Sequence, residues 1–398
     1  MDEPVCVRLT PPGMGAIGVV LLAGPDLRRT EDWFRPRRTG TPLFEDGRVV
    51  LGLLCEPDTG RPLDECLWTY SRRHPRFGCD AVELHLHGGP ALCERVLSAL
   101  QGGGFRRLSP SEFLRVLHER GVIRTVTWEA ESLAPDALCG SALEVLGAVW
   151  SGAFDSVVRD AADALAAGRA GPAGALLKTA DFGVAAVAPR RFFILGPPNS
   201  GKSTLFNALL GRRRAIVSSA AGTTVDVIEA RVSVGAVDVV VADAAGVAGE
   251  TSGLPGRMEK AALEHARKAD FVLVLMDGSR PRGEFETRVC EWLAGARARA
   301  PIPVERTRVL PIMGKADLER VREGIPGALR VSGLTGAGVK ALKGEMERLA
   351  TRGVGRRVPA LFTERQRARA RAALEAASDG RRELAARRLA MIAEERTW

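Results

Sequence analysis

Aromatic residues, cysteines and long apolar runs are all scarce in this chain. Aromatic residues make up 5% of its 398 residues, with a single tyrosine, and its seven cysteines show no Cys-x-x-Cys spacing. Their odd number is typical of reduced, mostly buried thiols rather than of a disulfide framework. Apolar runs such as Phe271 to Met276 are too short to cross a bilayer. The N-terminus is acidic where a secretory signal is basic, so we expect a cytoplasmic protein that does not enter a membrane.

Positive charge is concentrated at the end of the chain. The formal net charge is +9, and residues 353–398 alone hold 11 arginines against 6 acidic residues. A basic helical tail is typical of nucleic-acid binding. No aromatic side chains interleave with these arginines, so bases would find no stacking platform there. We therefore interpret the segment as a solvated helix face and keep contact with nucleic acid as the alternative.

The apolar pattern predicts an α+β domain over residues 1–116 and a helical part over residues 117–188. The elements predicted in the first domain are strands at Val5 to Leu9, Ala16 to Leu22 and Ala81 to Leu86, a helix at Ala91 to Leu100 and a helix start at Ser109 to Glu112. From 137 to 166, apolar residues recur every three or four positions, which predicts one long amphipathic helix. The stretch from Gly168 to Pro189 is expected to hold a loop and a short helix.

Residues 189–352 alternate strands and helices, which predicts a doubly wound, mostly parallel sheet. The predicted elements are 192–195, 203–210, 228–234, 237–242, 257–268, 271–276, 285–294, 308–313, 328–332 and 337–350. Residues 353–398 return to helix, and their expected buried positions are Leu374, Leu384, Met391 and Ile392. Helical stretches on both sides of a complete α/β module predict that the module is inserted in a helical domain.

Residues 196–203 have the sequence Gly-Pro-Pro-Asn-Ser-Gly-Lys-Ser and lie between an apolar run and a helix-like stretch. This is the phosphate-binding loop GxxxxGK[ST] in its strand–loop–helix setting. The backbone N–H groups of such a loop and the following helix N-terminus bind phosphate oxygens. We predict that Lys202 reaches the β- and γ-phosphates and that Ser203 holds Mg²⁺. The nucleotide-binding residues predicted here are Gly196, Asn199, Ser200, Gly201, Lys202, Ser203 and Thr204.

Two elements predicted to meet the metal and the γ-phosphate follow in the order of a GTPase. Thr223 and Thr224 lie in a loop, where a threonine hydroxyl can complete Mg²⁺ coordination. The run from Asp243 to Gly246 is a DxxG element at the end of a strand. Asp243 is expected to act on Mg²⁺ through water, and the Gly246 N–H to meet the γ-phosphate. Val247 stands where many GTPases carry a glutamine that orients the attacking water.

Two further elements are predicted to bind guanine. Residues 314–317, Gly-Lys-Ala-Asp, follow a strand where a GTPase carries [NT]KxD, so Asp317 would accept hydrogen bonds from the base and Lys315 would stack on it. Ser332 and Gly333 fit the last element, whose backbone N–H groups meet the guanine O6. Because Gly314 replaces an asparagine, a hydrogen bond of roughly 0.5–1.5 kcal/mol is missing. We expect weakened guanine selectivity, and a protein that also accepts ATP is one alternative.

With these elements in order, the chain resembles the bacterial tRNA-modification GTPase family of the MnmE (TrmE) type over nearly its whole length. The stretches that carry the resemblance are residues 11–19 (PPGMGAIGV), 82–90 (VELHLHGGP), 111–113 (SEF), 199–203 (NSGKS) and 221–226 (AGTTVD). Each is unspecific alone, and the combination is specific. The resemblance implies an N-terminal folate-binding, dimerising domain, followed by a helical domain that a G domain interrupts.

The resemblance also implies roles for particular residues. Asn199 and loop backbone near Ser219 would bind a K⁺ ion where other GTPases use an arginine finger. Glu259 would orient the attacking water, making Glu259 and Lys202 the expected catalytic residues; the alternative for Glu259 is a helix cap or a surface ion pair. The family pairs its G domains across a homodimer. It acts on wobble uridine in tRNA together with an FAD-dependent partner protein.

The chain departs from the family pattern in the folate pocket and at its C-terminus. Met14 stands for an arginine, Cys79 for an acidic residue and Arg124 for a lysine. Since an apolar side chain cannot pair with a carboxylate, we expect an eroded site for a 5-formyltetrahydrofolate-type cofactor. The family's C-terminal Cys-x-Gly-Lys motif is absent. These departures favour an alternative, a diverged paralogue that is a GTP-dependent switch or binding module without tRNA-modification activity.

His85 and His87 alternate on one strand face, where we expect a structural role rather than a metal pair.

Overall fold

A computed structural model describes residues 3–137, 139–211, 228–243, 264–294, 302, 304–305, 308–319 and 327–395. The chain divides into two compact units. The first consists of Met1–Ala134 with Ala390–Trp398, and the second of Pro135–Leu389. The second unit contains both helical and α/β parts, and the four-part division expected from the sequence stays a prediction.

The first unit contains a sheet of seven described strands. These are β1 (Val5–Arg8), β2 (Ile17–Ala23), β3 (Phe34–Pro36), β4 (Val49–Cys55), β5 (Pro62–Ser71), β6 (Ala81–His87) and β7 (Arg106–Leu108). Their order is β3-β4-β5-β6-β2-β1-β7, and neighbouring strands are antiparallel except β1 and β7. Along β6, Val82, Leu84 and Leu86 are buried while Glu83 and His85 are half-buried on the other face. Strand β6 thus turns one face to a core, while the consecutive buried residues Val5 to Val7 of β1 show that the middle of the sheet is covered on both faces.

Helices α1 (Pro90–Gly102), α2 (Pro110–Glu119) and α3 (Thr125–Leu133) complete the described part of the first unit before residue 134, with a 3₁₀ helix at Leu27–Trp33. A capping box starts α2. Ser109 Oγ accepts a hydrogen bond from the Glu112 N–H at 3.3 Å, and a Glu112 carboxylate oxygen accepts one from the Ser109 N–H at 2.8 Å. The predicted helix start at Ser109 is therefore confirmed.

The long helix predicted from 137 to 166 is wrong, because the structure has two helices there. These are α4 (Gly140–Trp150) and α5 (Ala153–Ala166). Gly152 separates them with a φ of 78°, a left-handed conformation that a glycine adopts at little cost and that a continuing helix cannot contain. The apolar period continued across the break because both helices bury the same kind of face, for example Leu146 and Phe154.

The stretch predicted as a loop and a short helix is instead one buried helix, α6 (Gly171–Val187). Its glycines and alanines allow close packing: a Cβ at Gly183 would clash with the Leu361 carbonyl. Two further helices follow late in the chain, α10 (Glu364–Ser378) and α11 (Arg382–Glu394); the three described helices between α6 and α10 belong to the α/β module. Of the four positions expected to be buried there, Ile392 is buried, Leu374 and Met391 are half-buried, and Leu384 is exposed, so the expectation for Leu384 was wrong.

Helices before and after the α/β module pack together within the second unit. Thr179 Oγ1 on α6 accepts a hydrogen bond from the Leu361 N–H at 3.1 Å. Asp181, two residues further along α6, forms an ion pair with the buried Arg367 of α10. These contacts join segments on either side of the module, as the predicted insertion requires.

The α/β module has a sheet of six described strands. These are β8 (Arg190–Leu195), β9 (Ile228–Val234), β10 (Val237–Asp243), β11 (Phe271–Asp277), β12 (Val309–Gly314) and β13 (Leu329–Arg330). The order is β13-β12-β11-β8-β10-β9, and the strands are parallel except for the β9–β10 pair. Its described helices are α7 (Lys202–Leu210), α8 (Glu284–Leu293) and α9 (Val339–Ala350). The predicted fold class is confirmed; of the predicted helix 257–268, only residues 264–268 lie within the described part, and they are helical.

The central strands have long apolar runs, Phe192 to Leu195 in β8 and Phe271 to Met276 in β11, because both faces of this sheet are covered. Phe192, Phe193 and Ile194 of β8 are consecutive and all fully buried. Across the described ranges, no helix has both the length and the apolar character that crossing a bilayer requires.

Candidate nucleotide-binding site

The predicted phosphate loop joins β8 to α7 at the carboxyl edge of the parallel sheet. Asp243, the last residue of β10, pairs in register with Ile194 of β8 and so lies beside the start of the loop. Crevices at this edge are where open α/β sheets bind ligands.

The backbone of the loop has conformations that its residues are suited to adopt. Gly201 has a φ of 96° and Asn199 a φ of 60°, the left-handed region that asparagine tolerates better than most residues. Gly196 packs directly against the sheet: a Cβ there would lie 2.9 Å from Ser200 Oγ and closer still to the Leu275 carbonyl oxygen. A glycine is therefore required at position 196 for the loop to lie this close to β11.

The Ser200 hydroxyl is buried within the loop and finds no hydrogen-bond partner among the described residues. A buried polar group without a hydrogen-bond partner is costly. A hydroxyl that can donate, in a loop that leads into the N-terminus of α7, fits an oxyanion such as a phosphate oxygen.

Lys202 lies over the same loop. Its Nζ donates a hydrogen bond to the Pro197 carbonyl at 2.9 Å. Burial lowers the pKa of Lys202 below its ordinary value, and the nearby Asp243 carboxylate acts in the opposite direction. The ammonium group is thus partly desolvated and would be stabilised by an anion in the loop.

Two oxygen donors flank the loop. The side chain of Asp243 is buried at the end of β10, and Ser203 lies exposed in the first turn of α7. A carboxylate and a hydroxyl are hard ligands of the kind Mg²⁺ prefers, so the residues present fit this ion.

A cavity of about 300 Å³ opens between the phosphate loop and the ends of β12 and β13. The residues lining it are Ser200, Gly201, Thr204, Leu205, Leu275, Gly314, Lys315, Asp317, Leu318, Val331, Gly333 and Leu334. The structure therefore brings part of the predicted phosphate loop (Ser200, Gly201 and Thr204) and part of the predicted base site (Lys315, Asp317 and Gly333) to one cavity. The predicted residues Gly196, Asn199, Lys202, Ser203, Asp243 and Ser332 do not line it.

The two loops predicted to hold the base are fixed by backbone contacts. The Ala316 N–H donates to the Val331 carbonyl at 3.2 Å, which joins the two loops. Ser332 is fully buried, and its Oγ accepts from the Thr335 N–H at 3.1 Å. Gly333 lies so close to α7 that a Cβ would be 2.8 Å from the Leu205 nitrogen.

The space beside Gly314 is taken by an apolar side chain. A Cβ at this position would lie 2.9 Å from Leu275 Cδ1 and 3.3 Å from the Ser200 carbonyl oxygen. The space that an asparagine side chain at position 314 would occupy is therefore filled here by Leu275.

Five predicted site residues lie outside the described residues. They are Ser219, Thr223, Thr224, Gly246 and Glu259. Their roles as metal ligands, nucleotide ligands or catalytic residue stay predictions.

One residue of the site was missed by the sequence reasoning. Asp277 ends the apolar strand β11, and its carboxylate contacts Lys315 Nζ at 2.7 Å. The signal that could have found it is an acidic residue directly after an apolar strand, at the sheet edge where the other motifs end.

The expected folate-pocket residues lie in the first unit. Met14 is 96% exposed, and Arg124 Nη1 donates to the Ala393 carbonyl at 3.0 Å. Burial raises the pKa of the Cys79 thiol to about 11, which keeps it protonated near neutral pH. An exposed thioether and a neutral thiol supply none of the charge that the family pattern has at these two positions.

The two histidines of β6 contact carboxylates. His87 Nδ1 lies 2.7 Å from an Asp64 oxygen, and His85 Nε2 lies 3.6 Å from Glu83, which also faces His74. The hydrogen bond from His74 lowers the pKa of Glu83. Within the described ranges, no cluster of three or more potential ligands could hold a metal ion.

Two protein-family models match the chain. The model described as GTP-binding protein TrmE N-terminus matches residues 4–120. The model described as 50S ribosome-binding GTPase matches residues 191–305, which include the phosphate loop.

Curated relatives match nearly the whole chain. A tRNA modification GTPase MnmE from Thermus thermophilus is 32% identical over 403 residues, which cover 92% of this chain and 86% of the relative. That of Koribacter versatilis is 30% identical over 398 residues, covering 91% and 85%. That of Myxococcus xanthus is 32% identical over 375 residues, covering 86% and 80%.

Proposed function

This chain belongs to the MnmE family of tRNA modification GTPases, and from that membership we propose that it couples GTP hydrolysis to modification of the wobble uridine of tRNA. The chain is a GTP hydrolase, and it binds GTP and GDP. The observation that supports the site assignment best is the enclosed phosphate loop, in which the Ser200 hydroxyl and Lys202 Nζ can bind an oxyanion beside Asp243.

The protein's own groups supply most of the catalysis we propose. The loop N–H groups and Lys202 bind the β- and γ-phosphates, with Lys202 exchanging the Pro197 carbonyl for phosphate oxygens. Because the ammonium group is already partly desolvated, its attraction to developing charge is stronger than it would be in water.

GTPases of this kind use Mg²⁺. We propose Ser203 and Asp243 as its protein partners, together with Thr224 from outside the described residues. When bound, the ion neutralises charge on the phosphate oxygens.

The same proposal makes Asn199 and Ser219 ligands of a K⁺ ion. The exposed Asn199 side chain, on a left-handed turn of the phosphate loop, is available for that purpose. Glu259 is proposed to orient the attacking water.

The proposed partners follow from the same family membership. They are a second copy of the chain, tRNA and an FAD-dependent protein that acts on the same base. A tRNA substrate of this kind would locate the protein in the cytoplasm.

The phosphate site is tested by GTP turnover and GDP binding of Lys202→Ala. The matched control is Lys340→Ala, which removes an exposed lysine of α9 in the same module. We expect Lys202→Ala to lose binding and turnover and Lys340→Ala to keep both. Equal activity of the two variants would remove the site assignment.

The potassium proposal is tested by comparing GTP turnover in K⁺ and in Na⁺, for wild type and for Asn199→Ala. Equal turnover of wild type with the two cations would remove the proposal.

The residues at the expected folate pocket of the first unit support a second candidate function. The exposed Met14 and the engaged guanidinium of Arg124 leave little charge to hold a folate carboxylate. In this alternative the chain is a GTP-dependent switch or binding module without tRNA-modification activity.

Complementation separates the two functions. The chain is expressed in a strain that lacks the family's normal member, and wobble-uridine modification of bulk tRNA is measured by mass spectrometry, with Lys202→Ala as the inactive control. Restored modification supports the first function. Absence of modification from a protein that hydrolyses GTP and shows no heat on titration with 5-formyltetrahydrofolate supports the second.

A further inference from the structure

Lys315 is held by a buried carboxylate at the end of the neighbouring strand. Its Nζ lies 2.7 Å from Asp277 Oδ2, and the Asp277 side chain is 8% exposed. The strands β11 and β12 pair in register at Asp277 and Gly314, so the two loops begin side by side. The ion pair therefore connects the base-binding loop to the centre of the sheet.

Asp277 is fixed in place by other groups. Its Oδ1 accepts hydrogen bonds from the Ser279 N–H at 3.0 Å and the Ser279 hydroxyl at 2.6 Å. Its own N–H donates to Glu286 at 3.1 Å, and the exposed Arg280 lies 3.6 Å from Oδ2. Burial alone would raise the pKa of Asp277, but the hydrogen bonds from Lys315 and Ser279 outweigh it and hold the pKa below its ordinary value. The carboxylate is thus an ionised, rigid acceptor.

The backbone of Lys315 has an unfavourable conformation that a side-chain contact with a fixed carboxylate can stabilise. Its φ is 55°, a left-handed conformation that is uncommon outside glycine and asparagine. The preceding Gly314 has no side chain to tie the loop to the phosphate loop, and Leu275 fills the space beside it. Among the described residues, the Lys315–Asp277 pair is the side-chain ion pair that restrains this loop.

We propose that Asp277 is a positioning residue for guanine nucleotides: it holds the Lys315 stem across the base-binding cavity and so supplies affinity that Gly314 does not. This rests on the proposed placement of the base against Lys315 and Asp317. Lys315 contacts the flat face of a purine, whereas Asp317 contacts its edge. Asp277 therefore contributes to affinity for the nucleotide rather than to the choice between purines.

The test is a double-mutant cycle on the full chain with GDP affinity as the readout. The variants are Asp277→Asn, Lys315→Met and both together. Because a hydrogen bond to a charged group contributes a substantial free energy, Asp277→Asn should weaken GDP binding about tenfold. In the Lys315→Met background the same change should have less than about a twofold effect, because Asp277 acts through Lys315.

Two further readouts distinguish positioning from general stability. The ratio of GDP to inosine diphosphate affinity should stay the same in Asp277→Asn and change in Asp317→Asn, and kcat at saturating GTP should stay unchanged while KM rises. The matched control is Asp238→Asn, another buried carboxylate that accepts from a serine hydroxyl, at 2.8 Å, on β10. It should bind GDP like wild type.

Equal losses in both Lys315 backgrounds, or no loss in either, would overturn the proposal. If Asp277→Asn fails to fold, Ser279→Ala takes its place in the cycle with a smaller expected loss of about threefold. Failure of wild type to bind GDP would count against the proposed site itself, and normal wild-type binding with an indifferent Asp277 would count against this inference alone.

Discussion

Replacing Gly196 with alanine is expected to separate the phosphate loop from the sheet. The new Cβ would lie 2.9 Å from Ser200 Oγ, 3.3 Å from the Leu275 carbonyl carbon and closer still to the Leu275 carbonyl oxygen. The serine hydroxyl can rotate away. The carbonyl belongs to the backbone of β11, whose residues are buried on both sides, so it cannot move without disturbing the core.

The loop must therefore shift instead, by up to about 1 Å, and overpacking of this kind typically costs about 1–3 kcal/mol. Because the loop's N–H groups have to converge on the phosphates, most of that cost should appear as lost nucleotide affinity. The corresponding loss is about tenfold to a hundredfold in the dissociation constant for GDP.

The assay is titration of a fluorescent GDP analogue, combined with thermal melting of the nucleotide-free protein. The control is Gly344→Ala in α9, where a Cβ meets nothing within 4 Å. A glycine inside a helix is less favourable than alanine by about 1 kcal/mol, so this variant should melt at a higher temperature and bind GDP normally. If Gly196→Ala binds GDP as tightly as Gly344→Ala does, the close approach of loop and strand is not what shapes the phosphate site.

Three other predictions concern Lys202, the capping box of α2 and Gly314. Burial lowers the pKa of Lys202 in the free protein, and a bound anion would raise it. Affinity for GTP should therefore fall as the pH rises through that lowered pKa, with net proton uptake seen by calorimetry; no uptake there, or the same uptake in Lys202→Arg, would contradict this. Ser109→Ala removes the capping box of α2 and should lower the free energy of unfolding by about 1 kcal/mol without changing GTP turnover, and an unchanged urea midpoint would refute it. Gly314→Asn should raise the preference for GTP over ATP only when Leu275→Val makes room for it, and a gain in the single variant would show that Leu275 is not the obstacle.

Much of the α/β module could be predicted from the sequence because its strands are short, apolar and bounded by motifs. The expected strand 228–234 agrees with the observed Ile228–Val234, and 271–276 falls one residue short of Phe271–Asp277. The central strand β11 is a continuous apolar run because both faces of the sheet are covered there, and the edge strand β9 alternates buried with polar residues. Both patterns are hard to mistake for a surface helix at this length.

The helical segments were predicted less well because the 3.6-residue period does not report where a helix ends. The period ran through Gly152 from α4 into α5, although the glycine's left-handed backbone ends the helix. In α6 the small residues that suggested a loop are the ones that let it pack against the Leu361 carbonyl. Tertiary packing decided the outcome at both places, and one sequence carries little record of it.

Asp277 could not be recognised as a site residue from the sequence around it. It lies 38 residues before Lys315, follows no recognised motif and is defined by a neighbour across the sheet. In a parallel sheet, however, the residues that follow adjacent strands meet at one edge, whatever their separation in sequence. An acidic residue that ends an apolar strand next to a motif-bearing strand is therefore a site candidate on topology alone. The same geometry explains how Gly314 can lack an asparagine's side chain: the restraint on the loop comes from the strand beside it, where a motif search does not look.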